Sequence, residues 1–235
     1  MPMHAACKMG ALGIAVLAIL GGCATHAVEH GTRAPPAQAP AQSILGQPYE
    51  LISSESLLIV RVYRGGTLGR AGHNHIVASH DVAGSIHVAQ DLARSSCELS
   101  FPVAALTVDE AELRAAQGPD FAADVSESAR AGTRHNMLGP AVLNADAYPL
   151  IKLTCVGFEA GGAQLLAHLQ VEVRDHRSEF TVPVSYTLSS SELLAQGEFS
   201  LRQTDLGLAP FTALLGALAV QDEMRLQFHI VARAQ

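Results

Sequence analysis

Apolar and polar side chains alternate with a two-residue period through most of the second half of this sequence. In 165–173, Leu165, Ala167, Leu169, Val171 and Val173 share one face, and His168, Gln170 and Glu172 share the other. Such alternation predicts a strand buried on one side. The same period sets Phe180, Val182, Val184, Tyr186 and Leu188 on one face of 179–188, and Met224, Leu226, Phe228, Ile230 and Ala232 on one face of 222–232. Weaker alternation marks 57–63, 83–89, 95–103, 149–158 and 193–202. Gly65-Gly66, Gly161-Gly162 and the turn at 174–177 punctuate these eight predicted strands. Two intervals, 109–117 and 122–138, have helical composition and spacing, the second with an expected kink near Gly132. Eight polar-out strands with one helical insertion predict a mainly β fold, an antiparallel barrel whose edges close on themselves. A barrel of eight strands either holds one elongated ligand or is filled by its own side chains. Periodicity leaves both open.

Leu206 to Val220, before the last strand, carries no charge. Pro210 suits a helix start and Gly216 a helix end, so a short apolar helix is expected there. So apolar a connection has to be covered. It is either a lid over the barrel mouth or part of the core.

The first residues follow a different pattern. Lys8 precedes an uncharged stretch, Ala11 to Leu20, which ends in Leu20-Gly21-Gly22-Cys23. That stretch is short for a membrane span, which takes about 20 apolar residues. It has the length and small-residue exit of a signal peptide. The ending resembles a bacterial lipobox, which implies cleavage before Cys23 and palmitate-type acylation of it; an ordinary secretory signal is the alternative. Ala24, where Asp would signal retention, implies by the same resemblance the periplasmic face of the outer membrane. Residues 34–42, Ala-Pro-Pro-Ala-Gln-Ala-Pro-Ala-Gln, are too poor in large apolar groups to bury a core and read as a partly extended tether. The expected organisation is therefore a signal peptide over 1–22, an acylated Cys23 with its tether over 23–45, and one domain over 46–235.

Composition narrows the chemistry. The sequence has 15 Lys and Arg against 22 Asp and Glu, a net charge of −7 that loss of Lys8 makes one unit more negative. Nucleic acid is an improbable partner for such a surface. There is no Gly-x-Ser-x-Gly elbow, no phosphate-binding glycine loop and no His-Glu-x-x-His, so no enzyme activity is expected. Cys97 and Cys155, the two cysteines of the domain, both fall on inward faces. If 95–103 and 149–158 pair antiparallel across the helical insertion, the two sit opposite each other and a disulfide can form in an oxidising compartment. Two buried thiols are the alternative.

Several motifs then resemble those of one family. Arg134-His135-Asn136-Met137-Leu138 followed by Tyr148-Pro149-Leu150-Ile151-Lys152-Leu153 resembles the helix end and following strand of YceI-like proteins. Glu198 to Leu208 resembles their late Arg-x-Asp-hydrophobic-Gly signature, with Arg202 and Asp205 as a structural pair, and Gly84-Ser85-Ile86 resembles an early strand. The resemblance runs from about residue 47 to the C-terminus. It implies a lipocalin-like barrel with a helix beside it and an elongated apolar cavity. It also implies a carrier, storage or sensing role for a polyisoprenoid or other long amphiphilic lipid. Inward-facing candidates for contact with such a ligand are Leu99, Phe101, Leu153, Leu169, Val184, Phe199, Leu208, Phe211 and Phe228.

Gly72-His73-Asn74-His75 departs from the family pattern. In an extended chain His73 and His75 point to the same side, a spacing that suits two ligands of one zinc, copper or haem iron. A third ligand would have to come from His80, Asp81 or His135. A periplasmic metal- or haem-handling protein is thus the alternative to a lipid binder.

Overall fold

The computed structural model describes residues 46–162 and 164–235. The expected signal peptide, acylated Cys23 and tether lie outside the described residues.

Backbone pairing builds a closed antiparallel ring of eight staves, three of which are split. β1 (Gln47–Leu51) and β2 (Leu57–Gly65) form the first stave, β3 (His75–Ser79) and β4 (Ala83–Val88) the second, β5 (Ser96–Pro102) and β6 (Thr107–Val108) the third. In these, β1 pairs with β4 and β4 with β5, while β2 pairs with β3 and β3 with β6. The remaining staves are β7 (Leu150–Gly161), β8 (Gln164–Val173), β9 (His176–Leu188), β10 (Glu192–Arg202) and, after a two-residue β11 (Thr212–Ala213), β12 (Leu218–Ala234). The long β12 closes the ring. One of its edges pairs with β10 from Glu223 to Arg233, and the other pairs with β2 and then β1. Closure runs through β1, β4 and β5 on one side, while the two-residue β6 pairs with β3 alone.

The three breaks, at 52–56, 80–82 and 103–106, lie side by side and crease the wall. Backbone groups freed from the ladder there need other partners. Ser56 Oγ donates to Ile52 O at 2.9 Å and accepts from Val231 N at 3.1 Å. Ser53 Oγ donates to His80 O. Arg134 reaches in from outside to donate to the carbonyls of Leu106 and Ala104. The Arg134 motif therefore pins a helix to the crease.

That helix, α2 (Glu127–Leu138), follows α1 (Ala111–Ala115) in the excursion between β6 and β7. It starts five residues later than the composition suggests. Ser126 Oγ caps it by accepting from Ala129 N, and the preceding turn at Pro119–Phe121 buries Phe121. No kink occurs at Gly132. That glycine is solvent-exposed and costs only about 1 kcal/mol relative to alanine, which the helix absorbs without breaking.

The apolar connection before β12 is not a helix. β11 forms a hairpin with the start of β12, Thr212 against Ala219, and the turn at its tip places Leu214, Leu215 and Gly216 at φ of 51°, 55° and 87°. Three successive left-handed residues cannot continue a right-handed helix. The segment divides its apolar groups: Leu206 and Leu208 are buried in the barrel, whereas Leu214 and Leu215 are 66% and 109% exposed. The tip is therefore neither lid nor core.

The main core gathers at the end of the barrel that carries the helical excursion, where Phe101, Val103, Leu106, Leu143, Leu201 and Met224 pack together. A smaller cluster of Ile59, Ile76 and Phe121 lies on the outer face of the wall.

Candidate ligand-binding site

Inside the ring runs a cavity of about 310 Å³ lined almost entirely by aliphatic and aromatic side chains. Strand alternation creates it, because every second residue of β7 to β10 and β12 points inward. Of the residues expected to meet a ligand, Leu99, Phe101, Leu153, Leu169, Val184, Phe199, Leu208 and Phe228 line it. Phe211 does not. It precedes the β11 hairpin and packs on the core from outside the lumen, because the connection turns back as a strand instead of lying across the barrel. Phe199 and Phe228 meet edge to face with centroids 6.4 Å apart. Gly197 makes room for this: a Cβ there would come within 2.7 Å of the Phe228 ring.

The two ends of the cavity differ. At the end bearing the Gly161-Gly162 and Ser189–Ser191 turns, the lining residues Tyr186 and Leu188 are 43% and 40% exposed. That is the mouth. At the other end Val142, Leu143, Leu206 and Leu208 line the cavity and are buried, so they form a floor. The chain enters the barrel at the mouth end, where Gln47 Nε2 donates to Ser190 O at 2.9 Å.

Cys97 and Cys155 face each other in register on β5 and β7 and form a disulfide, with Cα atoms 4.8 Å apart. Both border the lumen, so the bridge ties the walls on either side of the helical excursion. Only three other polar side chains line the cavity below its rim: Ser79, Ser95 and Gln203. Ser95 Oγ accepts from Ala89 N, and Gln203 Nε2 donates to Gln221 O at 2.7 Å. Ser79 Oγ is buried and has no partner among the described residues.

The histidine-rich loop lies elsewhere, on the outer wall under the excursion. His73 and His75 have ring centroids 6.2 Å apart. His75 Nδ1 donates to Asp109 Oδ2 at 2.6 Å, and its Nε2 is 3.5 Å from Thr133 Oγ1. The suggested third ligands do not join them. His80 Nε2 pairs with Glu110 at 2.9 Å, Asp81 is exposed beside it, and His135 is exposed on α2. Among the described residues no three His, Cys, Asp or Glu side chains are grouped as metal ligands.

Sequence reasoning passed over the partner of His75. Asp109 is fully buried with φ of 54° and receives Arg114 Nη1 at 2.5 Å and the Ile76 amide at 2.9 Å. Burial opposes its ionisation, but the hydrogen bonds and charges of His75, Ile76 N–H and Arg114 outweigh it and hold the carboxyl below its ordinary range. Arg114 is itself buried and donates also to Asn74, Phe121 and Ala123 carbonyls. The cluster fastens α1 to β3. Its charges are satisfied within the protein, which is what a structural role requires. The late signature pair is likewise structural: Asp205 accepts from the Arg202 backbone amide at 3.1 Å.

Comparison with known proteins bears on the barrel as a whole. In fold the chain is similar to BcnA of Burkholderia cenocepacia, with a TM-score of 0.56 at 13% identity over 77% of this chain and 98% of that one. A cysteine variant of the YceI protein of Campylobacter jejuni gives 0.50 at 9% identity over 66% and 82%. At such identities the likeness shows the fold alone. No curated protein matches the chain in sequence. The YceI-like domain, as a sequence family, matches residues 67–232, most of the chain and seven of the eight staves without interruption. By that match and by its closed eight-stave barrel, the chain belongs to the YceI-like family.

Proposed function

We propose that this protein binds a polyisoprenoid or other long amphiphilic lipid in the barrel, without catalysing a reaction, at the cell envelope. Members of the YceI-like family are barrels that bind hydrophobic ligands. The observation that carries the finer reading is the cavity: about 310 Å³, apolar from mouth to floor, and of a size that holds one small-molecule ligand. Each 100 Å² of tail buried there contributes about 2.5 kcal/mol. The lipobox-like ending at Cys23 supports attachment to a membrane, and the chain enters the barrel beside its mouth. An acylated Cys23 on a Pro-rich tether would keep that mouth within reach of the bilayer that supplies the lipid.

The test is to fill the lumen. Ala195 lines the cavity on β10, and Ala195→Phe puts a ring into it. Organic extracts of wild-type protein purified from envelopes are expected to contain a long-chain prenyl or acyl lipid by mass spectrometry, and extracts of Ala195→Phe to lack it at an unchanged far-UV spectrum. Equal lipid in both, or none in the wild type, overturns the reading.

A further inference from the structure

Three of the exposed large apolar side chains, Leu68, Leu214 and Leu215, belong to one corner of the barrel. The turn after β2 clasps the hairpin tip there: Leu68 N donates to Ala217 O at 2.8 Å, and Gly66 lies so close that a Cβ would collide with the same carbonyl. Leucine gains the fold nothing at 214 and 215. The side chains stand in solvent, and the left-handed backbone beneath them suits glycine. Apolar groups presented at a cost to the fold point to a surface outside it.

Charge indicates which surface. The two segments that build the corner, 64–74 and 206–221, contain Arg64 and Arg70 and no acidic residue, in a chain of net charge −7. Neither arginine pairs with a carboxylate among the described residues. The next acid along β12, Asp222, is taken up by Thr204 after β10. Leucines flanked by cations suit the boundary of an anionic bilayer, where apolar groups enter the acyl region and guanidinium groups meet phosphates.

We propose that this tip docks on an anionic lipid surface, with Leu214 and Leu215 in the acyl boundary and Arg64 and Arg70 on the headgroups. So few side chains hold weakly and reversibly, so the tip orients a protein already at the membrane and does not replace an anchor. It lies at the opposite end of β12 from Arg233, which pairs with Glu192 beside the mouth. A docked barrel therefore turns its mouth away from that surface, and docking on a bilayer and taking lipid from it are alternative postures. The inference stands apart from the lipid-binding reading.

The chain has no tryptophan, so Leu215→Trp makes a single reporter at a wholly exposed position. The full chain carrying it, purified from envelopes, is mixed with vesicles of phosphatidylglycerol or of phosphatidylcholine. With phosphatidylglycerol the emission should shift to the blue and be quenched by brominated acyl chains. Adding Arg70→Gln should weaken the apparent affinity about fivefold, and adding Leu214→Ser should weaken it further at an unchanged far-UV spectrum. Val156→Trp, at an exposed position of β7, should stay unshifted. An unshifted Leu215→Trp, an equal response from Val156→Trp, or an equal response to phosphatidylcholine overturns the proposal. A shift that grows with protein concentration in the absence of vesicles assigns the tip to a second copy of the chain and also overturns it.

Discussion

At the scale of single residues, the least legible feature was a charged one. An aspartate just before a helix reads as a capping residue. Asp109 instead turns inward, because His75, 34 positions earlier, and Arg114 meet it there. The sequence shows each of these residues but not their convergence. Asp109→Asn tolerates the same left-handed backbone and removes the charge. It leaves Arg114 buried without its anion and should cost about 3 kcal/mol in urea denaturation. The pH dependence has a definite sign. The folded carboxyl titrates below its unfolded value, so its stabilisation is present above the unfolded pKa and is lost as pH falls through the folded one. Wild type should lose stability across that acid limb, and Asp109→Asn should lose less.

At the scale of elements, strand period was the strongest signal. Each of the eight predicted segments falls on one of the eight staves, three of them overrunning their strand by one residue at one or both ends. What it missed were the short halves β1, β3 and β6, of five, five and two residues, in which alternation has too few turns to register. The cysteine pair followed from the same period, since residues on matching faces of neighbouring strands must meet if the register allows. At a sequence separation of 58, the disulfide should contribute about 4 kcal/mol in the chain-entropy model. Reduced and oxidised protein compared in guanidinium chloride should show that difference as a lower midpoint on reduction. The expected helix before β12 failed because apolar content carries no handedness. Leu214 and Leu215 hold left-handed angles that suit glycine or asparagine, so Leu215→Gly should stabilise by about 0.5–1 kcal/mol in thermal unfolding without altering lipid recovery.

For the whole molecule, the decisive property is closure. β12 joins the last stave to the first, across the full length of the described chain, and thereby turns one face of the sheet into a lumen. The ends of that lumen are unlike: a floor built from the excursion and the Leu206–Leu208 segment, and a mouth beside the chain entry. Cys23→Ala should release the protein from membrane fractions while the barrel's affinity for a long-chain prenyl lipid stays within about twofold of wild type, since anchor and cavity are then separate devices. Loss of affinity together with attachment would show them to be one. Local alternation and short motifs carried the eight staves, the inward faces of the long strands and the family, but not the place of Phe211 or the register that brings Cys97 to Cys155. That the lumen is hollow, and which of its ends opens, came from the folded ring. Those depend on how side chains from distant strands fill a shared space, and volume and pairing are properties of the closed ring.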